Sequence, residues 1–321
     1  MLSAHPTFEV VLAGGPVPRQ YTAFVPDGAG GRAAEHTFEW RDDSPALSAD
    51  LRELQRAAVS GRPPENDLHR QFGRRLYDTI FAGPVGDLWR ARRAERRRQP
   101  LRLLLRPDPE SVRPLLNLPW EYLHDEDDFL ALDWRTPLAR LPWSLSTEPL
   151  PVLDEPLRLL VLIAAPHGLD QHQVLNTARE EDLVLAALGE ARRAGRLQIE
   201  FAPSGSLETL ETALRDFDPH VLHFVGHGVF VDALDTGVLL MEQRDGRERQ
   251  VPNAEFARLV ERRARSLRLV FLSACQSAVA PRTGGYADLA PRLLAAGIPA
   301  VVAMQFSVLN RSAMEFGATF Y

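Results

Sequence analysis

Cys275 is the only cysteine of the chain and stands just past the apolar run 269–272, in the segment "LRLVFLSACQS". His227 closes an earlier apolar run, "HVLHFVGHG", in the same way. A thiol and an imidazole delivered by two buried strands are the parts of a nucleophile site. A free thiol ionises near ~8.5, and an adjacent imidazolium brings it to roughly 3.5–7.5. Each unit of that drop corresponds to about 1.4 kcal/mol, so the histidine must be held rigidly beside the sulfur. Gly226 and Gly228 flank His227 and offer no side chain to block a substrate backbone. The amides of Gly228 and Cys275 are the candidate oxyanion donors, because they border the space where a carbonyl would sit.

Each residue also has a plainer reading. A lone cysteine in an apolar strand is usually a small buried hydrophobe. A glycine-flanked histidine is equally at home in a turn. His223 lies within the apolar body of the His227 strand and reads as a core histidine or one that supports the site. The joint pattern of two strand ends, in the order His then Cys, is what favours chemistry.

The elements that must position the pair follow from periodicity. Residues 157–164 ("LRLLVLIA") form a continuous apolar run of the length of a strand covered on both faces. Residues 176–195 read as a helix, with Thr177 and Glu180 as a capping box, Leu183, Leu185 and Leu188 as the apolar stripe and Gly195 as the stop. Strands are expected at 197–202, 220–225, 267–274 and 300–304. Helices are expected around Leu207–Leu214, after Asn253 and over 287–296, and a hairpin or arm around Gly246. This alternation predicts a parallel, doubly wound α/β sheet, in which ligands bind beyond the carboxyl ends of the strands.

The first half is less regular. A hairpin (8–12 with 21–25), helices over 47–59, 68–80 and 87–98, and a strand at 101–105 precede "LPWEYLHDEDDFLALDWRTPLARLPW", which reads as strands about an acidic turn at 125–128. Trp120, Trp134 and Trp143 are expected to pack this lobe's core or the interface between lobes. The proline-rich stretch 144–156 is the expected boundary, giving an N-terminal α+β lobe over 1–153 and a catalytic lobe over 154–321. The C-terminal "LNRSAMEFGATFY" reads as a helix without a stop, so continuation of the natural chain past Tyr321 is expected.

Composition excludes several classes. All 37 basic residues are arginine, which rules out a P-loop lysine, a Schiff-base lysine and a Ser–Lys dyad. A net charge of -6 gives no general attraction to nucleic acid or anionic membrane. One cysteine forms no internal disulfide, and the N-terminus lacks the pattern of a signal peptide, so a soluble cytoplasmic protein is expected. Cys-x5-Arg is broken by Pro281, with Arg282 one place too far. His223 and His227 would stand ~13 Å apart on a strand, with neither HExxH nor a second cysteine, so no metal and no cofactor is expected. The arginines at 90, 92, 93, 96, 97 and 98 read as a solvated helix end rather than a nucleic-acid contact, since no aromatic residue interleaves with them.

"HFVGHG", "VFLSACQSA" and "LPWEYLHDEDDFLALDWRTPLAR" resemble three blocks of the CHAT family of caspase-like cysteine peptidases, of clan CD type. "FGRRLYDTIFAGPVGDLW" and "LAAGIPAVVAMQFSVLNRSAMEFGATFY" are similar to it as well, so the likeness runs from about Leu68 onward. The separation of 48 positions from His227 to Cys275 is close to the ~50 of the caspase order. The resemblance implies a caspase-like parallel-sheet sandwich with helices on both faces, preceded by a smaller α+β lobe. It implies endopeptidase activity on a protein substrate through a dyad of Cys275 and His227. It further implies control by a regulatory partner or a fused repeat or NTPase domain, and a role in bacterial defence or signalling. Ser273 replaces the caspase glutamine and the metacaspase aspartate two positions before the cysteine, so neither preference for the residue at the scissile carbonyl carries over. Ser273, Asp170, His172, Asp232 and Asp235 are candidate pocket residues, although solvated loop positions are the plainer reading for the last four. Two other functions fit the same pair: a catalytically silent scaffold acting as a signalling module, and a small-molecule acyltransferase or hydrolase.

Overall fold

A computed structural model describes residues 6–96, 98–108, 110–141, 153, 156–169, 175–231, 236–263, 266–277, 289–305 and 310–321. The chain divides into two compact units, one of Met1–Ala57 with Arg62–Pro149, the other of Ala58–Gly61 with Leu150–Tyr321. Each holds a mixed sheet.

The first unit contains β1 (Thr7–Gly14), β2 (Gln20–Pro26), β3 (Arg32–Glu39), all but the last turn of α1 (Pro45–Ser60), α2 (Leu68–Ile80), α3 (Gly83–Glu95), β4 (Arg102–Pro107), α4 (Arg113–Leu116) and β5 (Leu138–Arg140). Its strand order is β3-β2-β1-β4-β5, antiparallel through the first three and parallel from β1 to β5. β3 has a weak signature in the sequence, because only Ala34 and Phe38 of its eight residues are buried. The core gathers Phe8, Phe72, Leu76, Trp89, Leu103 and Trp120.

The segment after α4 keeps one of the expected strands, β5, and departs from the others. It forms short 3-10 turns at Trp120–Tyr122 and Leu130–Leu132, closed by a single bridge His124↔Phe129. Asp125 organises the acidic turn by accepting from the amides of Asp127 and Asp128 and from Arg93. Trp120 is buried as expected, whereas Trp134 is 69% exposed beside Leu132 and packs no core. Trp143 lies outside the described residues. Arg90, Arg92 and Arg93 pair with Asp87, Glu95 and Asp125, which accounts for much of the basic run on α3.

The second unit contains β6 (Leu157–Ile163), α5 (Thr177–Arg193), β7 (Leu197–Phe201), α6 (Leu207–Asp216), β8 (Val221–Val231), β9 (Thr236–Glu242), β10 (Glu248–Pro252), α7 (Asn253–Arg263), β11 (Leu269–Ser277), α8 (Leu289–Ala295), β12 (Ala300–Ala303) and α9 (Asn310–Phe320). Strands β7, β6, β8, β11 and β12 run parallel in that order. The β9–β10 hairpin, turning at Gly246 with φ +79°, adds to the sheet antiparallel. The expected parallel sheet is therefore mixed. Alternation along the strands splits the core: Leu160, Leu162, Leu222, Phe224 and Leu272 pack with α6, α7 and α8, while Leu159, Val161 and Val225 pack with α5. Helix α9 lies against α5 and β11 on that second face. Among the described residues no helix is long and apolar enough to cross a membrane.

Candidate active site

β8 and β11 are neighbours, and their register pairs Phe271↔His223, Ser273↔Val225 and Cys275↔His227. Adjacent strands lie about 4.8 Å apart, so the backbones of Cys275 and His227 are brought as close as a sheet allows. The period of two places positions 223, 225, 227, 271, 273 and 275 on one face, the face covered by α5 and α9. His227 is 8% exposed and Ser273 7%.

Neither residue sits at a strand tip. β8 continues four residues past His227 and β11 two past Cys275. The reason is a change of partner. β6 pairs with β8 only as far as Ile163↔Val225, and from His227↔Leu240 onward β9 takes its place. The Gly-His-Gly segment is thus held extended by β11 along one side and, from His227, by β9 along the other, instead of turning. On the far side, β12 pairs with β11 no further than Leu272↔Ala303. The pair consequently lies just beyond the carboxyl ends of β6 and β12, the expected position in an open α/β sheet.

Gly228 has a register partner on both sides, Gln276 of β11 and Leu239 of β9. Gly226 also carries a packing requirement: a Cβ there would come 2.7 Å from Phe224 Cζ.

The junction between β6 and β9 is stitched by Glu242, whose carboxylate accepts from the Ala165 amide at 2.9 Å while its own amide donates to Gly205 at 3.0 Å. A Cβ on Gly205 would lie 2.3 Å from Ala164 Cα, so only glycine permits that approach. Nothing in the sequence marks Glu242, an acid at a strand end.

His223 is 2% exposed, edge-on to Phe271 at 4.6 Å, and neither ring nitrogen has a hydrogen-bond partner. Burial pushes its imidazole down to about 3, so it is a neutral core histidine.

Glu180 departs from its expected role. The cap of α5 is Asn176, whose side-chain oxygen accepts from the Arg179 amide at 3.1 Å. Glu180 instead shares the inward stripe with Val184 and Leu188, where Leu183 and Leu185 were expected. It is 6% exposed, and burial alone pushes its carboxyl up to about 7.

Asp170, His172, Asp232 and Asp235 lie outside the described residues. Among the described residues no group of three potential ligands could hold a metal ion.

The model of the family described as the CHAT domain matches residues 70–321. No curated protein was found to match the chain.

Proposed function

Because this chain belongs to the CHAT-domain family, a caspase-like family related to cysteine peptidases, we propose that it is a cysteine endopeptidase acting through Cys275 and His227. The observation that carries the reading is the register Cys275↔His227 on adjacent parallel strands. His227 takes the thiol proton, and the thiolate adds to the scissile carbonyl of a protein substrate. The tetrahedral adduct collapses to a thioester as His227 returns the proton to the departing amine. Water, deprotonated by the same imidazole, then releases the acid and regenerates the thiol.

The Cys275 and Gly228 amides are assigned to the oxyanion. Of the two, the Cys275 position is the more open, since β12 stops pairing three residues earlier. A carbonyl approaching the Gly228 amide must compete with strand partners on both sides. In this reading Ser273, one rung below Cys275 on the same face, belongs to the substrate pocket. Control by a regulatory partner or fused domain belongs to the same proposal.

The test is labelling of Cys275 by iodoacetamide at pH 7 in the wild type and in His227→Ala. Activation predicts a rate at least about tenfold higher in the wild type, the effect of lowering a thiol pKa towards neutrality. Equal slow rates would leave a silent scaffold. Comparing protein N-termini produced by the wild type and by Cys275→Ala then separates a peptidase from an acyltransferase or small-molecule hydrolase.

A further inference from the structure

Among the described residues only two carboxylates are buried, Asp125 and Glu180. Asp125 has Arg93 and two backbone amides. Of the half-buried acids, Glu9 holds Arg106 and Asp133 holds Arg135 and Arg93, whereas Glu181 and Glu200 have no described ion pair and keep contact with solvent. Glu180 is the buried acid without a described partner. No described side chain satisfies its carboxylate, and nothing but desolvation acts on it. An unpaired carboxylate on a buried side chain is costly even where its oxygens keep some contact with solvent, and such groups are candidates for completion by a ligand.

Its place in the fold says which ligand. α5 leaves the carboxyl end of β6 and returns the chain to the start of β7, where Leu197 is in register with Leu157. The helix therefore runs opposite to the strands, and its first turn lies at the end where His227 and Cys275 lie. Glu180 to Arg193 rises about 20 Å, and Leu157 to Ile163 rises about as much. Glu180 is thus level with Ile163 and Val225, one rung below His227. It points inward on the α5 stripe, over the face that carries positions 227 and 275. β6 and β11 are two strand spacings apart, about 10 Å, and α9 lies against both α5 and β11 on this face, so only a long, slender side chain could reach from Cys275 towards α5.

We infer that Glu180 is the substrate-recognition carboxylate of this site, receiving the guanidinium or ammonium of a basic residue at the scissile carbonyl. The inference rests on the peptidase reading and adds its substrate class. It also explains why Ser273 can stand two positions before Cys275: the acid is supplied from α5, not from β11. A bound cation would neutralise Glu180 and hold it ionised, supplying the partner that no described residue provides.

The experiment uses the full chain and two peptidyl acyloxymethyl ketones, identical except for arginine or norleucine at the position of attack, with iodoacetamide alongside. The arginine reagent is expected to alkylate Cys275 at least about tenfold faster than the norleucine reagent. Glu180→Gln should bring the ratio to about one, and Glu180→Asp, with a shorter reach, to an intermediate value. A wild-type ratio near one, or a ratio that survives Glu180→Gln in a protein that still unfolds cooperatively on heating, overturns the inference and leaves the peptidase reading intact. Iodoacetamide labelling that ignores His227→Ala overturns the peptidase reading itself. In that event, failure of arginine amide to raise the melting temperature of the wild type by more than it raises that of Glu180→Gln overturns the cation site too.

Discussion

His223 and Glu180 face the same side of the sheet and titrate in opposite senses. The folded His223 imidazole is held down to about 3, so protons bind the unfolded chain preferentially below its ordinary 6.5, and stability falls as pH falls through that window. The folded Glu180 carboxyl is held up to about 7, so between its ordinary 4.5 and 7 the folded chain binds the extra proton, and stability falls as pH rises. Each slope reaches about 1.4 kcal/mol per pH unit. Between pH 4.5 and 6.5 they offset one another, and the wild type is expected to show a nearly flat contribution from this face. Urea unfolding across that range should show stability rising with pH in Glu180→Gln and falling with pH in His223→Phe. Parallel profiles for the three proteins would contradict both assignments. His223→Phe also removes two unpartnered ring nitrogens and should be no less stable than the wild type at pH 6.

At the scale of elements, the apolar runs at 157–164 and 269–272 announce β6 and β11, because a strand covered on both faces has no polar alternation. The length of β6 is legible to within one residue, whereas β8 and β11 run past their expected ends. Gly226-His227-Gly228 has the composition of a turn, yet β8 runs through it because β9 supplies a ladder where β6 ends. The helix α5 was legible and its inward face was not: leucines at 183 and 185 suggested one stripe, and packing against β6 and β8 selected 180, 184 and 188. The junction that sets β8's change of partner depends on Gly205. Gly205→Ala forces a Cβ against the Ala164 backbone and is expected to cost about 1–3 kcal/mol, read by thermal unfolding, and to slow Cys275 labelling. Asn176→Ala should cost about 1 kcal/mol through loss of the α5 cap. Thr177→Ala should cost measurably less, since Thr177 is not the cap.

At the scale of the whole molecule, each unit closes its own core around its own sheet. The tryptophans of the first unit divide accordingly. Trp120 is 1% exposed and donates its ring N–H to the Leu115 carbonyl at 3.0 Å, while Trp134 lies in solvent beside Leu132. Trp120→Ala is expected to cost about 3–5 kcal/mol, and Trp134→Ala less than about 0.5. Acrylamide should quench the fluorescence lost in Trp134→Ala and spare that lost in Trp120→Ala.

By itself the sequence determined an α/β chain in two parts and the two residues worth watching, because hydrophobic period and residue chemistry are local properties. Only tertiary structure decided that positions 227 and 275 are register partners, that Trp134 is exposed within a block that looks apolar, and that Glu180 turns inward with no described cation beside it. Register, exposure and pairing depend on which distant segments arrive alongside, and no window along the chain contains both partners.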